Sequence, residues 1–210
     1  MSKTILVTAG PTREKLDPVR FISNESTGTL GYEIAKQLHK KGHRVIFLKG
    51  PIVFPSIDGV EEKQFESASD LKALLDQYFE QVDVLFMTSA VADYRPKAVQ
   101  KEKLRRQDHL ELQLEATEDI LASLGHSDKR ADKLLVGFCL ETGALEENAA
   151  RKLKSKNLDY IVGTLYETDA PPFGDSGMNS ILMERGGDVV QMTDGAKSEF
   201  AAQLIDKLSL

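Results

Sequence analysis

The chain alternates short, wholly apolar runs with stretches whose apolar residues recur at helical spacing, and few folds accommodate that order. Ile5-Leu6-Val7 and Val45-Ile46-Phe47-Leu48 are apolar throughout, and residues 82–87 are apolar but for Asp83. Between them, Leu30, Ile34, Ala35 and Leu38, then Leu71, Leu74, Leu75 and Tyr78, fall three or four residues apart. Strands without polar alternation are covered on both faces, so this β-α-β-α-β order predicts a parallel sheet between layers of helices. Lys40-Lys41-Gly42 closes the first helix with cations and a glycine.

The order repeats further on. Leu134-Leu135-Val136-Gly137-Phe138 predicts a strand, residues 145–155 a helix with cations in its last turn, and Tyr160-Ile161-Val162 another strand. Leu110-Glu111-Leu112-Gln113-Leu114 alternates strictly, which predicts a half-exposed strand outside the parallel core. Ser180-Ile181-Leu182-Met183, Gly186-Gly187 and Val189-Val190-Gln191-Met192 read as a hairpin, and residues 197–208 as a final helix. No internal repeat or linker interrupts the chain. The expected fold is a single α/β domain over 1–210, Rossmann-like and doubly wound, with a mainly parallel sheet and a small C-terminal hairpin and helix.

Charge narrows the function classes. Lys+Arg 27 against Asp+Glu 33 leaves −6, which argues against a general nucleic-acid binder, since such a protein needs a net-basic face to release counterions. A few local cations and backbone amides still suffice for a small anion. Cys139 is the one cysteine, so no internal disulfide forms, and no Cys/His cluster has zinc spacing. The first residues lack the apolar run of a signal peptide, and no stretch reaches the roughly 18 apolar residues of a membrane span. The expected setting is the cytoplasm, with no membrane partner.

Three loops follow strand ends in this reading: residues 8–31, 88–106 and 138–142. In such sheets ligands bind beyond the carboxyl ends of the strands, so the three predict one site. The first opens Thr8-Ala9-Gly10-Pro11-Thr12 and later reads Ser23-Asn24-Glu25-Ser26-Thr27-Gly28-Thr29-Leu30-Gly31. Hydroxyls, glycines and a helix N-terminus suit either an anion cradle or an ordinary capped helix after a long turn. The pattern is neither GxGxxG nor GxxxxGK[ST]. Arg20, in Asp17-Pro18-Val19-Arg20, suits bidentate contact with carboxylate or phosphate, or a surface ion pair.

The second loop reads Thr88-Ser89-Ala90-Val91-Ala92-Asp93-Tyr94-Arg95-Pro96. Its small residues permit close approach of a ligand, and Asp93 suits a hydroxyl, a base, a metal-bound water or a turn cap. Lys97, Lys101, Lys103, Arg105 and Arg106 form either a solvated face or a lid, expected to be mobile without ligand because it is polar and rich in like charge. Arg151, Lys152, Lys154 and Lys156 sit at a helix end, where cations offset the dipole without any ligand. Cys139 has no histidine near it in sequence and reads as a small buried hydrophobe. What remains is a constellation for positioning anionic groups, as phosphoryl and nucleotidyl transfer require.

The loops also carry a resemblance. Residues 5–14, Leu16-Asp17-Pro18-Val19-Arg20-Phe21-Ile22-Ser23-Asn24, residues 90–96, Val136-Gly137-Phe138 with Glu141-Thr142, and residues 152–159 closely resemble, in order and spacing, the phosphopantothenate–cysteine ligase family. The resemblance implies coenzyme A biosynthesis: 4′-phosphopantothenate is joined to L-cysteine through an acyl-cytidylate, with CTP consumed and Mg²⁺ assisting. No flavin-dependent decarboxylase half precedes Met1, so it implies a stand-alone ligase without flavin and a separate decarboxylase as pathway neighbour.

The resemblance also implies roles. Asn24 holds phosphopantothenate and the acyl-nucleotide carbonyl, Arg20 supports the same loop, and Lys103 neutralises phosphate charge. The nucleotide falls to Met87, Thr88, Ser89, Asp93, Glu118, Asp119, Ile120, Leu121, Phe138, Lys152 and Lys156, with Phe138 on the nucleoside and Asp93 on ribose or base. Gly10, Ser26, Thr27 and Gly28 belong to the phosphopantothenate side; no metal ligand is assigned. The family forms homodimers with the site near the subunit boundary, and the late hairpin is the expected dimer element.

Departures from the family's pattern bear on the nucleotide. Its K-x-K-K block reads Lys103-Leu104-Arg105-Arg106, its S-S-G-K-M-G reads Ser26-Thr27-Gly28-Thr29-Leu30-Gly31, and Ser89 stands where alanine is usual. The late A-N-D block reads Gly163-Thr164-Leu165. Basic elements and short length fit the CTP users, the ATP users being the longer eukaryotic branch. The rival readings are an inactive nucleotide-binding regulatory module, opposed by the joint presence of Asn24, Arg20, Asp93 and Lys103, and a short-chain NAD(P) oxidoreductase, which needs a Tyr-x-x-x-Lys pair that neither Tyr94 nor Tyr160 supplies.

Overall fold

The computed structural model describes residues 1–210. In chain order the elements are β1 (Thr4–Ala9), β2 (Arg13–Lys15), β3 (Phe21–Ser23), α1 (Thr29–Lys40), β4 (Arg44–Lys49), β5 (Glu61–Gln64), α2 (Ala68–Tyr78), β6 (Val84–Met87), β7 (Tyr94–Pro96), β8 (Leu114–Ala116), α3 (Ile120–Gly125), β9 (Leu134–Glu141), α4 (Leu145–Ser155), β10 (Tyr160–Leu165), β11 (Ser180–Glu184), β12 (Val189–Gln191) and α5 (Lys197–Lys207).

Eight strands make one sheet in the order β12-β11-β10-β9-β6-β1-β4-β5. All pairings are parallel from β10 through to β5, while β11 and β12 join antiparallel as the C-terminal hairpin. The wholly apolar strands are buried on both faces, as their sequence requires. One apolar layer packs Leu6, Ile46, Leu85 and Leu135 against α2, α3 and α4. The other packs Ile5, Val7, Phe47 and Phe86 against α1 and α5. The sheet is doubly wound, and no helix is long and apolar enough to cross a membrane.

Two expectations need correction. Residues 110–113 form no strand; only Leu114–Ala116 does, paired antiparallel with β7 in a separate ribbon. Leu110, Leu112 and Leu114 are exposed, so the alternation marks an arm with no apolar partner rather than a half-buried sheet strand. The third loop is also shorter than expected, because Phe138, Cys139, Leu140 and Glu141 extend β9 beside β10.

Besides β7, three more strands lay unseen in the sequence. Glu61–Gln64 pairs with β4 at the sheet edge, and the first loop folds into the β2–β3 ribbon. That ribbon is held by a buried carboxylate: Glu14 accepts from the Ala68 amide at 2.8 Å, at the start of α2. The Arg13 guanidinium lies 4.5 Å over the Phe21 ring.

At the ribbon's tip, Asp17 organises a second contact. Its buried carboxylate accepts from the Val19, Arg20 and Leu104 amides and from the Arg20 guanidinium, while Arg20 also donates to the Leu104 carbonyl. The Gln100 amide bonds to the Leu16 carbonyl, so the basic 97–106 segment is tied at two points to the first loop. Burial alone would raise the Asp17 carboxyl, but these donors hold it well below the usual carboxylate range. The anchor is therefore present above the ordinary aspartate pKa near 4 and is lost only as pH falls through the depressed value. Asp17→Asn is expected to lower amide hydrogen-exchange protection across 100–107 by about tenfold at pH 7 while leaving β1 and β6 unchanged.

Candidate functional site

The strand order reverses beside β1: the chain moves outward to β4 and β5, then returns to β6 on the other side. The loops leaving β1 and β6 must part there, which opens a crevice at the carboxyl edge of the sheet. Their first residues are stitched together before they part. Thr12 donates to the Ala90 carbonyl at 3.1 Å and Ala90 to the Gly10 carbonyl at 3.0 Å. Beyond this stitch lies a cavity of about 760 Å³.

Asn24 enters the cavity from the end of the β2–β3 ribbon. Its Nδ2 donates to the Ala90 carbonyl at 2.9 Å, which leaves Oδ1 and the second amide hydrogen for a ligand. Ser26, Thr27 and Gly28 follow along the same wall. Gly28 is the N-cap of α1, with φ +77° and no side-chain cap, so the first-turn amides have neither an intrahelical partner nor a capping oxygen. A side chain at Gly28 would be strained by that φ and would sit 2.8 Å from Ile52 Cγ2. Of the two readings of this stretch, the ordinary capped helix lacks its side-chain cap, and the open helix start suits an anion.

Met87, Thr88 and Ser89 form the floor at the end of β6. Thr88 Oγ1 donates to the Thr8 carbonyl, and the Ser89 amide to Thr8 Oγ1 at 3.1 Å. The Ser89 hydroxyl oxygen is buried and has no hydrogen-bond partner. Asp93 is exposed to the cavity and caps nothing. Glu118, Asp119, Ile120 and Leu121 supply the entry of α3, with Asp119 accepting from the Ala122 amide at 3.1 Å.

The third wall carries Phe138, Lys152 and Lys156. Both lysines already have partners: Lys152 with Glu141 at 2.6 Å and Lys156 with Asp119 at 2.9 Å. Their ammonium groups serve the fold as much as the cavity. Cys139 lines the same wall, where burial pushes its thiol up to about 11, Glu141 adding to the effect and Lys152 and Lys156 opposing it.

Three assigned residues do not share this cavity. Arg20 is carried to the far tip of the β2–β3 ribbon, three strand residues or about 10 Å from Ser23, where it pairs with Asp17 at 2.6 Å. Lys103 is held beside it by the Leu104 tie; with Leu104, Arg105, Arg106, Gln107 and Leu110 they border a separate basic depression. Within one chain Arg20 ties the tip of the same loop through Asp17 and does not line the cavity with Asn24. Gly10 lies beneath the cavity rather than in it, its amide about 3.1 Å from where a Gly28 side chain would begin.

Other lining residues carried no sequence signal that singled them out. Tyr166 and Phe173, ring centroids 6.3 Å apart, and Met178 come from the turn-rich 166–179 connection. Lys197 is the first residue of α5, only 4% exposed, and its ammonium donates to the Ser176 carbonyl at 2.5 Å. Burial draws its pKa down to about 8, against the pull of Asp194 and Asp175. It looked like any helix-start lysine; only the tertiary fold turns it inward.

The sequence matches the DNA/pantothenate metabolism flavoprotein C-terminal domain family over residues 1–210. It is 39% identical over 187 residues to the coenzyme A biosynthesis bifunctional protein CoaBC of Bacillus subtilis (strain 168), covering 88% of this chain and 46% of that protein. The chain thus spans about half the length of that relative. The crystallised C-terminal domain of a coenzyme A biosynthesis bifunctional protein CoaBC superposes with a TM-score of 0.82 at 37% identity, covering 98% of this chain and 93% of the other. A Cab2 H337A mutant in complex with phosphopantothenate-cysteine superposes at 0.77 over 99% of this chain and 87% of that one; at 19% identity this bears on the fold alone.

Cys139 gives a direct check on the wall's dryness. A thiol at about 11 is ionised in roughly one molecule per thousand at pH 8. Alkylation of the folded protein by iodoacetamide at that pH, followed by intact mass, is expected to run about 100-fold slower than in denaturant, and Cys139→Ala to keep full activity.

Proposed function

Because the chain belongs to the DNA/pantothenate metabolism flavoprotein C-terminal domain family, we propose that it is a phosphopantothenate–cysteine ligase that activates its substrate with CTP. The observation that carries this reading is the convergence of Asn24, the open start of α1, Asp93, Phe138, Lys152 and Lys156 on one cavity from four separate stretches of chain.

The chemistry needs little from the protein beyond position and charge. A phosphopantothenate carboxylate oxygen attacks the α-phosphorus of CTP, and the bond to pyrophosphate breaks, leaving an acyl-cytidylate. The cysteine amine, having lost a proton, then attacks the acyl carbon; CMP leaves and the amide remains. Neither step changes an oxidation state, so the reading requires no flavin. Asn24, anchored on the Ala90 carbonyl, holds the reacting carboxyl and then steadies the carbonyl oxygen as charge develops on it. Phe138 packs on the nucleoside, and Lys152 and Lys156 lie against its phosphates.

Mg²⁺ fits this inventory as a companion of the triphosphate. The chain has no cluster of three or more His, Cys, Asp or Glu that would form a metal cage, and Mg²⁺ usually takes one or two carboxylates plus substrate phosphates. Glu25, Asp93 and Glu118 are the cavity carboxylates without a protein partner; when bound there, the ion would offset phosphate charge.

The residues left outside the cavity suit a homodimer. Arg20, Lys103, Arg105 and Arg106 form their own basic depression, and exposed Leu110, Leu112 and Leu114 run beside it along the β7–β8 arm. A second copy seated on this apolar strip would bring those cations toward its neighbour's cavity. The strip is a more extensive apolar surface than the three-residue edge strand β12, the hairpin strand expected to mediate pairing. Leu112→Glu combined with Leu114→Glu is expected to convert dimer to monomer in light scattering and to lower turnover at least tenfold; unchanged mass would reject this boundary.

Pyrophosphate release and amide formation, measured with 4′-phosphopantothenate, Mg²⁺ and either CTP or ATP, with and without cysteine, test the reaction. CTP-dependent release is expected, with Asn24→Ala releasing pyrophosphate within a few-fold of the wild type but forming amide about 10²- to 10³-fold more slowly. Release with ATP alone would keep the ligase and change its nucleotide. No release with either, from protein that binds CTP, would support an inactive nucleotide-binding module instead.

A further inference from the structure

One wall of the cavity is a long connection. Between β10 and β11 the chain runs through residues 166–179, and Tyr166, Pro172, Phe173 and Met178 of that run line the cavity. Pro172 and Met178 are buried while residues 175–177 are exposed, so the stretch lies along the cavity like a strap with its apolar side inward. Both ends are fixed at the sheet. The Tyr166 amide donates to the Glu141 carbonyl at 2.7 Å, and the Leu165 amide to the Asn179 carbonyl at 2.9 Å.

The middle of the strap is held far more thinly. Two hydrogen bonds connect residues 171–178 to the rest of the chain. The Gly174 amide donates to Thr27 Oγ1 at 3.2 Å, and the Lys197 ammonium donates to the Ser176 carbonyl. A third, from the Ser176 amide to the Phe173 carbonyl, stays within the segment. So few bonds over eight residues is the pattern of a stretch that opens locally while its surroundings stay folded.

Of the two tethers, the one from Lys197 is the stronger, because its donor is charged. It also comes from a firmly packed element, since α5 buries Phe200, Ala201, Leu204 and Ile205. Lys197 is 4% exposed, and an ammonium is costly to bury where an apolar side chain would fill the same space without that cost. Asp175, on the strap, and Asp194 both act on the ammonium. A side chain at Gly177 would collide with the Asp194 carboxylate, so the strap, the turn at 194 and the start of α5 meet at one point.

We infer that residues 172–178 are a closing strap of the cavity and that Lys197 is the positioning residue that holds it shut. The inference rests on the ligase reading only for the ligands named in its test, and deepens that reading by adding a moving wall. Lys197 makes and breaks no bond of the reaction. It acts through Ser176 on the placing of Phe173 and Met178.

Hydrogen exchange and steady-state kinetics on the wild type, Lys197→Met and Lys197→Arg test it. Lys197→Met is expected to speed exchange across 171–178 by about 10- to 100-fold and to leave 200–205 unchanged, with Lys197→Arg restoring most of the protection. In pyrophosphate release, Lys197→Met is expected to raise the KM for CTP or for 4′-phosphopantothenate about tenfold with kcat within about threefold, because an unlatched wall lets bound ligand escape. Unchanged exchange across 171–178, faster exchange that spreads through α5, or a fall in kcat with both KM values unchanged would overturn the latch. If the wild type releases no pyrophosphate, the ligase reading fails and the exchange comparison alone decides the latch. Should Lys197→Met not unfold cooperatively, Gly177→Val decides instead: it keeps Lys197 and pushes the strap off Asp194, so faster exchange across 171–178 would support the strap and unchanged exchange would overturn it.

Discussion

Two backbone hydrogen bonds across the strand reversal, Thr12 to Ala90 and Ala90 to Gly10, hold the rest of the site in register. They join two loops whose strands are adjacent but whose helices lie on opposite faces of the sheet. Asn24 then anchors to that same Ala90 carbonyl, so its position follows from sheet topology rather than from its own flexible segment. Thr8 and Thr88 extend the arrangement one residue deeper. A site built from four loops would otherwise lose much of its geometry to loop motion.

Close packing of α1 against this junction is the second requirement. A side chain at Gly31 would collide with Thr88 and Ala9, so only glycine lets the helix start sit directly over the ends of β1 and β6. That approach is what turns an ordinary helix N-terminus into one wall of a cavity. The deep burial of Ile34, Ala35 and Leu38 on the same helix fixes the direction in which its free amides point.

Much of the fold could be read from periodicity, because each central strand is apolar on both faces and each long helix has a clean apolar stripe. Residues 145–155 and the C-terminal hairpin emerged for that reason. Glu61–Gln64 did not, since an edge strand of four polar residues carries no burial pattern and depends on β4 for its existence. The β2–β3 ribbon was hidden likewise, its register set by Glu14 at the start of α2, some 54 residues away. For the site, most of the loop residues named from the resemblance line one cavity, because strand ends bring them together. Arg20 and Lys103 border a separate depression within the chain, since their place depends on a ribbon not visible in the sequence. Lys197 carried no signal at all, since burial of a helix-start lysine is decided by what packs around it.

The pairing of Lys152 with Glu141 and of Lys156 with Asp119 makes the cavity a competitive electrolyte rather than a bare positive well. A polyphosphate entering there must displace carboxylates that already occupy the same ammonium groups, so charge alone gives it little advantage over the protein's own anions. Under the proposed reading, simple phosphates would gain little here, and selection would pass to features they lack, such as a flat base for Phe138. Asp119 also caps α3. Any ligand that draws Lys156 away therefore leaves that carboxylate to the helix alone, which couples occupancy of the cavity to the tightness of a neighbouring turn.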